Sequence, residues 1–151
     1  LDGALIRSIK SFEAIASEKS ISLKTDIETT GERTNHVLGD LHSLTQLFDN
    51  LIDNAIKYTP ENGEVKISLN YVKNNQINIT VSDNGVGISK EHQARIFERF
   101  YRVDKGRSRD LGGTGLGLAF SKQVAEQHNG TIEIISEPTK GSSFLVSLPL
   151  I

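Results

Sequence analysis

The sequence predicts an α/β two-layer sandwich, a mixed sheet of about five strands covered on one face by three helices. Three observations carry this. Three segments repeat apolar residues at helical spacing, and shorter segments alternate with period two. A tight polar turn joins two of the alternating segments, so part of the sheet is antiparallel. Helical and alternating segments are interleaved without the regular strand–helix–strand order of an all-parallel sheet.

Leu5, Ile9, Phe12 and Ala16 form one stripe along residues 1–20, the first helix. Ile21, Leu23, Thr25 and Ile27 alternate and mark a strand over residues 21–28. Thr29 to His36 is polar, contains Gly31, and reads as a loop. Asp40 suits the N-cap of a helix running to about Tyr58, with Leu44, Leu47, Phe48, Leu51 and Ala55 as its buried stripe. Pro60 cannot continue it. Glu64 to Val72 and Ile77 to Val81 alternate about the turn Lys73-Asn74-Asn75-Gln76, the clearest hairpin in the chain.

Asp83-Asn84-Gly85-Val86-Gly87-Ile88 is a glycine-bearing loop at the end of that hairpin, and Ser89 is expected to cap a helix through about Ile96. Phe97 to Gly113 has weak periodicity and carries Arg99, Arg102, Lys105, Arg107 and Arg109, which predicts a long, mobile loop. A helix follows from Thr114 to Asn129, with Gly130 as its C′ residue. Thr131 to Ser136 and Ser143 to Leu148 are strands about a turn at Pro138 to Gly141.

The 151 residues fit one domain with a single core, and 36% hydrophobic with 24% charged residues is ordinary for a globular chain. A net charge of −2 speaks against nucleic acid or an anionic membrane as partner. Without cysteine there is no disulfide framework and no cysteine zinc site. No apolar run reaches the length of a membrane span, and no signal-peptide pattern opens the chain. The chain starts without Met inside a helical pattern, as a piece of a longer protein would.

Four constellations could carry chemistry. Asn50, Asn54 and Lys57 fall at i, i+4 and i+7 on one stripe beside the apolar face, with Tyr58 adjacent. They read either as the polar floor of a pocket or as a solvated stripe in which Lys57 pairs with Asp53. Asp83 at a strand end could accept a hydrogen bond from an exocyclic amine such as that of adenine, with Gly85 and Gly87 letting the backbone pass close to a flat base. The alternative is a simple Asx-type turn. Gly113-Thr114-Gly115-Leu116-Gly117-Leu118 opens a helix, where backbone N–H groups can meet phosphate, or is merely a flexible loop before a helix start. Lys57, Arg99 and Arg102, and more weakly Arg107 and Arg109, could meet phosphate charge, while the Asn54 amide suits Mg²⁺. His36, His42, His92 and His128 have no metal-ligand or catalytic partner spacing and read as structural or surface residues.

These stretches stand in an order that resembles the catalytic, ATP-binding domain of sensor histidine kinases. The matching boxes are Asn50-x-x-x-Asn54-Ala55-x-Lys57-Tyr58, Asp83-x-Gly85-x-Gly87, Ile96-Phe97-Glu98-Arg99-Phe100-Tyr101-Arg102, Gly113-Thr114-Gly115-Leu116-Gly117-Leu118, and Thr139-Lys140-Gly141-Ser142-Ser143-Phe144. The resemblance spans essentially the whole chain. It implies the ATP-binding (Bergerat) sandwich shared with gyrase B, Hsp90 and MutL. It also implies ATP and Mg²⁺ as cofactors, with Mg²⁺ on Asn54 assisted by Asn50. Asn50, Asn54, Lys57, Arg99 and Arg102 would form the catalytic set. Nucleotide contacts would come from Tyr58, Asp83, Gly85, Gly87, Ile88, Tyr101, Arg102, the Gly113–Leu118 loop and Ser143, with a lid from about Tyr101 to Gly113.

The ATPase relatives carry Glu where Asn50 stands, so the resemblance favours a kinase that holds ATP for an outside acceptor. A regulatory nucleotide-binding module and a gyrase-type ATPase are the alternatives. No histidine here stands in the family's His-Glu/Asp-Leu acceptor context. The implied partner is therefore a separate dimerisation and phosphoacceptor domain, with a response regulator served indirectly. The implied setting is a monomeric cytoplasmic domain whose parent is anchored in the bacterial membrane.

Overall fold

The computed structural model describes residues 1–29, 36–104 and 113–151. Most of the expected loop between Thr29 and His36 lies outside them, as do Lys105, Arg107 and Arg109 with most of the expected lid. In chain order the elements are α1 (Asp2–Glu18), β1 (Ser22–Ile27), α2 (Leu41–Tyr58), β2 (Glu64–Val72), β3 (Gln76–Asp83), α3 (Lys90–Gln93), α4 (Gly117–Gln127), β4 (Thr131–Glu137) and β5 (Gly141–Pro149). The sheet order is β1-β2-β3-β5-β4, with β1 and β2 parallel and every other neighbouring pair antiparallel.

The hairpin forms as its sequence requires. Asn74 and Asn75 take φ of 70° and 56°, the two left-handed positions of a tight turn that Asn tolerates. That turn sets the register Ile67↔Val81 and Leu69↔Ile79, so the alternating apolar residues share one face. Phe144, Val146 and Leu148 of β5 extend that face. α2 lies on it with Leu47, Phe48, Leu51 and Ile52 fully buried, flanked by α1 through Leu5 and Ile9 and by α4 through Val124 and Ala125. Each such side chain contributes about 1.5–3 kcal/mol by leaving water, so α2 is held by its apolar face rather than by helix propensity. Asp40 is its N-cap: the Ser43 hydroxyl and backbone N–H both donate to Asp40 Oδ2 and hold that carboxyl below its usual range.

Three expectations need correction. The helix after Ser89 is a single turn without buried residues, and the Ser89 side chain makes no cap hydrogen bond. Beyond it the tighter bonds Arg95 N–H to His92 O and Glu98 N–H to Arg95 O carry the chain in turns. α4 begins at Gly117 rather than Thr114, because Gly115 has φ +74° and its carbonyl accepts the Phe100 N–H. The left-handed residue that ends α4 is Asn129 (φ 55°), not Gly130. Asn129 N–H reaches Glu126 O and Gly130 N–H reaches Ala125 O, a complete Schellman pair. Gly130 is small for a different reason: a Cβ there would lie 2.3 Å from Ser147 O.

Candidate active site

The C-terminal half of α2, the β3–α3 loop, residues 101–104, the Gly113–Leu118 stretch and the start of β5 surround a cavity of about 770 Å³. That is the size of a pocket for a small organic ligand. The structure brings Asn50, Asn54, Lys57, Tyr58, Asp83, Gly87, Ile88, Tyr101, Arg102, Gly113, Thr114, Gly115, Gly117 and Leu118 to its wall. It does not bring Gly85, Arg99, Leu116 or Ser143 there.

Helical spacing places the α2 side chains as the stripe required. Asn50 Nδ2 donates to Gly117 O at 3.3 Å and ties α2 to the first residue of α4. Lys57 Nζ lies 2.6 Å from Asp53 Oδ2, so Lys57 is both a wall residue and one half of an i,i+4 ion pair. Asp83 ends β3. Its Oδ1 accepts the Gly85 N–H at 2.9 Å and the Ser142 N–H at 3.3 Å. Its Oδ2 takes no hydrogen bond among the described residues. Burial pushes the Asp83 carboxyl above its usual range, against those two amide bonds.

Arg102 is the second poised group. Its Nε and Nη2 are buried without a hydrogen-bond partner among the described residues. A guanidinium left so is costly unless an anion completes it. Tyr101, also in the wall, has its hydroxyl bonded to His92 Nδ1 and its ring under the Arg95 guanidinium at 4.4 Å.

The glycines divide by what they pack against. A Cβ on Gly85 would meet Tyr58 O at 2.3 Å, and one on Gly87 (φ +68°) would meet Glu137 O at 2.0 Å. These two let the loop wedge between the end of α2 and the β4–β5 turn, where Val86 N–H bonds Tyr58 O and Thr139 N–H bonds Val86 O. Room for a flat base is not what requires them. At Gly117 the nearest atoms to a Cβ are 3.6 Å away, so protein packing does not demand glycine there.

The residues left out have physical reasons. Phe100, at φ +65°, turns the chain after Arg99, which is exposed beside a smaller cavity of about 280 Å³ with Arg95 and Glu98. Leu116 faces outward, 39% exposed. Ser143 points to the other face of the sheet, bonded to the Ser82 hydroxyl at 2.7 Å, and Ser142 lines the cavity in its place. Sequence reasoning missed Ser142, Asp53 and Lys19 as wall residues. Alternation from the buried Phe144 pointed to Ser142, and helical spacing pointed to Asp53 as a neighbour of Lys57. Nothing in the sequence pointed to Lys19.

Among the described residues no cluster of three or more His, Asp or Glu could hold a metal ion. The donor set fits Mg²⁺ only in the form that keeps most of its coordination on phosphate and water, with an amide oxygen from Asn54 or Asn50. Among the described residues no helix is long and apolar enough to cross a membrane.

Residues 39–151 match the family model described as histidine kinase-, DNA gyrase B-, and HSP90-like ATPase. The chain is 45% identical over 149 residues to the sensor-like histidine kinase SenX3 of Mycolicibacterium smegmatis, covering 99% of this chain and 38% of that protein. Among solved structures, the mycobacterial sensor histidine kinase MprB superposes with a TM-score of 0.82 at 26% identity, covering 98% of this chain and 93% of that one. Full-length ShkA in complex with AMPPNP superposes equally well, with a TM-score of 0.82 at 26% identity, covering 99% of this chain and 30% of that one. The chain thus spans well under half of the sensor kinase relative it matches at nearly full coverage. With the sheet order, the α2 stripe and the two glycine loops in place, the chain belongs to the histidine kinase-, gyrase B- and HSP90-like ATPase family, and its fold is that of histidine kinase catalytic domains.

Proposed function

We propose that this domain binds Mg²⁺-ATP and gives the γ-phosphoryl group to a histidine on a separate dimerisation domain, which in turn serves a response regulator. The observation that carries it is one cavity wall holding a partly buried acceptor, Asp83 Oδ2, and buried donors, Arg102 Nε and Nη2, all without a hydrogen-bond partner among the described residues. Asp83 Oδ2 can accept the adenine amine, and guanine, with a carbonyl at that position, is disfavoured. Arg102, with Lys57, can meet phosphate oxygens. Mg²⁺ would be carried by the phosphates with the Asn54 amide as protein ligand, and would offset charge on the transferred group.

Asn50 supports transfer over hydrolysis. An amide cannot take a proton from water, and Asn50 Nδ2 is already committed to Gly117 O. The acceptor lies outside this chain's own candidates. His128 is buried with Nε2 and Nδ1 both in hydrogen bonds, and His92 is engaged by Tyr101. The test mixes this chain with a cognate dimerisation domain and γ-labelled ATP. Label is expected on that domain's histidine. Nucleotide binding without label transfer would sink the kinase reading, and rapid steady-state hydrolysis by the chain alone would favour a gyrase-type ATPase.

A further inference from the structure

Ser136 of β4 is not itself a wall residue, yet its hydroxyl is bonded to both wall segments beside Asp83. The Ile88 N–H donates to Ser136 Oγ at 2.8 Å, and Ser136 Oγ donates to Gly141 O at 2.9 Å. The Ser136 and Ser142 hydroxyl oxygens lie 2.8 Å apart. Ile88 and Ser142 both line the cavity, and the Ser142 N–H reaches Asp83 Oδ1 at 3.3 Å. The Ile88 carbonyl is held as well: Gln93 Nε2 donates to it at 2.6 Å and to Ser136 O at 3.0 Å. One side chain thus joins the β3–α3 loop to the start of β5, the two segments that meet at Asp83.

A serine hydroxyl has one proton and two lone pairs. A carbonyl can only accept, so the Ser136 proton goes to Gly141 O. The Ile88 N–H takes one lone pair of Ser136 Oγ, and the Ser142 hydroxyl meets the other by donating its own proton. Only this arrangement completes all three bonds. Ser142 Oγ has no other hydrogen bond among the described residues, so any bond it makes into the cavity is one it accepts. Asp83 Oδ2, when ionised, is an acceptor as well. We propose that Ser136 is a specificity-determining positioning residue: by taking the Ser142 proton it leaves the Asp83 end of the cavity with acceptors only, which suits a purine with an exocyclic amine and disfavours one with a carbonyl there. The proposal rests on the nucleotide reading above. It assigns Ser136 no contact with the ligand.

The test is calorimetry of this chain with ATP and with GTP, and thermal melts check that each variant folds. Ser136→Ala removes the hydroxyl and frees the Ser142 proton to turn toward a ligand. It is expected to bind ATP about 5-fold or more weaker. GTP affinity should stay within about 2-fold, so the preference for ATP narrows. Ser136→Thr keeps the hydroxyl and should recover most of that preference. In a Ser142→Ala chain, adding Ser136→Ala should leave the preference where it was. Should the Ala variant not fold, Ser136→Cys, whose thiol bonds only weakly, takes its place. Equal losses for ATP and GTP would leave Ser136 only a packing role and overturn the proposal. ATP binding as in wild type, Thr narrowing the preference as Ala does, or a preference that still moves without the Ser142 hydroxyl would overturn it as well. Wild-type chain that binds neither nucleotide, or both alike, would instead bring down the nucleotide reading.

Discussion

Asp83 sits where two demands conflict. Its burial raises the carboxyl pKa above the 3.8 of an unperturbed Asp, although Gly85 and Ser142 donate to it. A carboxyl raised in the folded state contributes stability that is fully present below the unfolded pKa and is lost as pH rises through the folded value. At neutral pH the ionised group therefore costs stability, a cost that the proposed contact with the adenine amine would account for. Asp83→Asn retains an oxygen for the two amides and removes the charge. The melting temperature of the apo chain should rise at pH 7.5 and the gain should fade near pH 3.5. ATP affinity should fall about 10-fold or more, and preference over GTP should blur. Paired melts and calorimetry check both signs, and a variant that loses stability at pH 7.5 or binds ATP normally would refute the assignment. Asp83 was legible from its place at a strand end. Gly85 and Gly87 were legible as a loop but not in purpose, because Tyr58 O and Glu137 O arrive from distant parts of the chain. Ser143 was chosen over Ser142 because a motif was followed where the pleat of β5 should have been.

At the scale of elements, strand bounds followed period two closely, and helix ends did not follow glycine. α1 and α4 both finish in Schellman pairs whose left-handed residue is not glycine: Ser20 at φ 56° and Asn129 at φ 55°. A side chain in that region is strained, less so for Asn, which tolerates it. Ser20→Gly should therefore stabilise the domain by about 1 kcal/mol, raising the melting temperature by about 2–4 °C. Asn129→Gly should give a smaller gain, since glycine adds unfolded-state entropy against little relieved strain. Thermal melts of the two variants in one buffer decide the order, and a larger gain at Asn129 would contradict the strain argument. Gly130, the residue the sequence offered as the cap, is instead pressed against Ser147 O, so Gly130→Ala should destabilise. Packing between α4 and β5 cannot be read from either segment alone.

For the whole molecule, the mixed sheet and the single helical layer were legible from pattern, but the order β1-β2-β3-β5-β4 and the parallel β1–β2 pair were not, since pairing joins segments distant in sequence. The same holds for how the two walls of the cavity are kept in register. α2 and α4 run antiparallel and are pinned at two places, Asn50 to Gly117 beside the cavity and Asp40 to His128 about 15 Å along α2 from it. At the far pin Val124 O can only accept, so His128 Nδ1 carries the proton and bonds it at 2.7 Å, and Nε2 is left to accept the Asp40 N–H at 3.0 Å. The ring leaves no space for a side chain at residue 39: a Cβ on Gly39 would lie 1.9 Å from His128 Cδ2. His128, read from the sequence as structural or surface, is thus structural and sets the start of the helix that carries Asn50 and Asn54. His128→Leu removes both hydrogen bonds and should cost about 1–3 kcal/mol, lowering the melting temperature by roughly 2–4 °C per kcal/mol. His128→Gln can still offer an oxygen to the Asp40 N–H and should lose clearly less. Hydrogen exchange at the first turn of α2 should quicken in the Leu variant and not in the Gln variant. Equal destabilisation by both would mean that ring packing, not the Asp40 bond, holds the two helices in register.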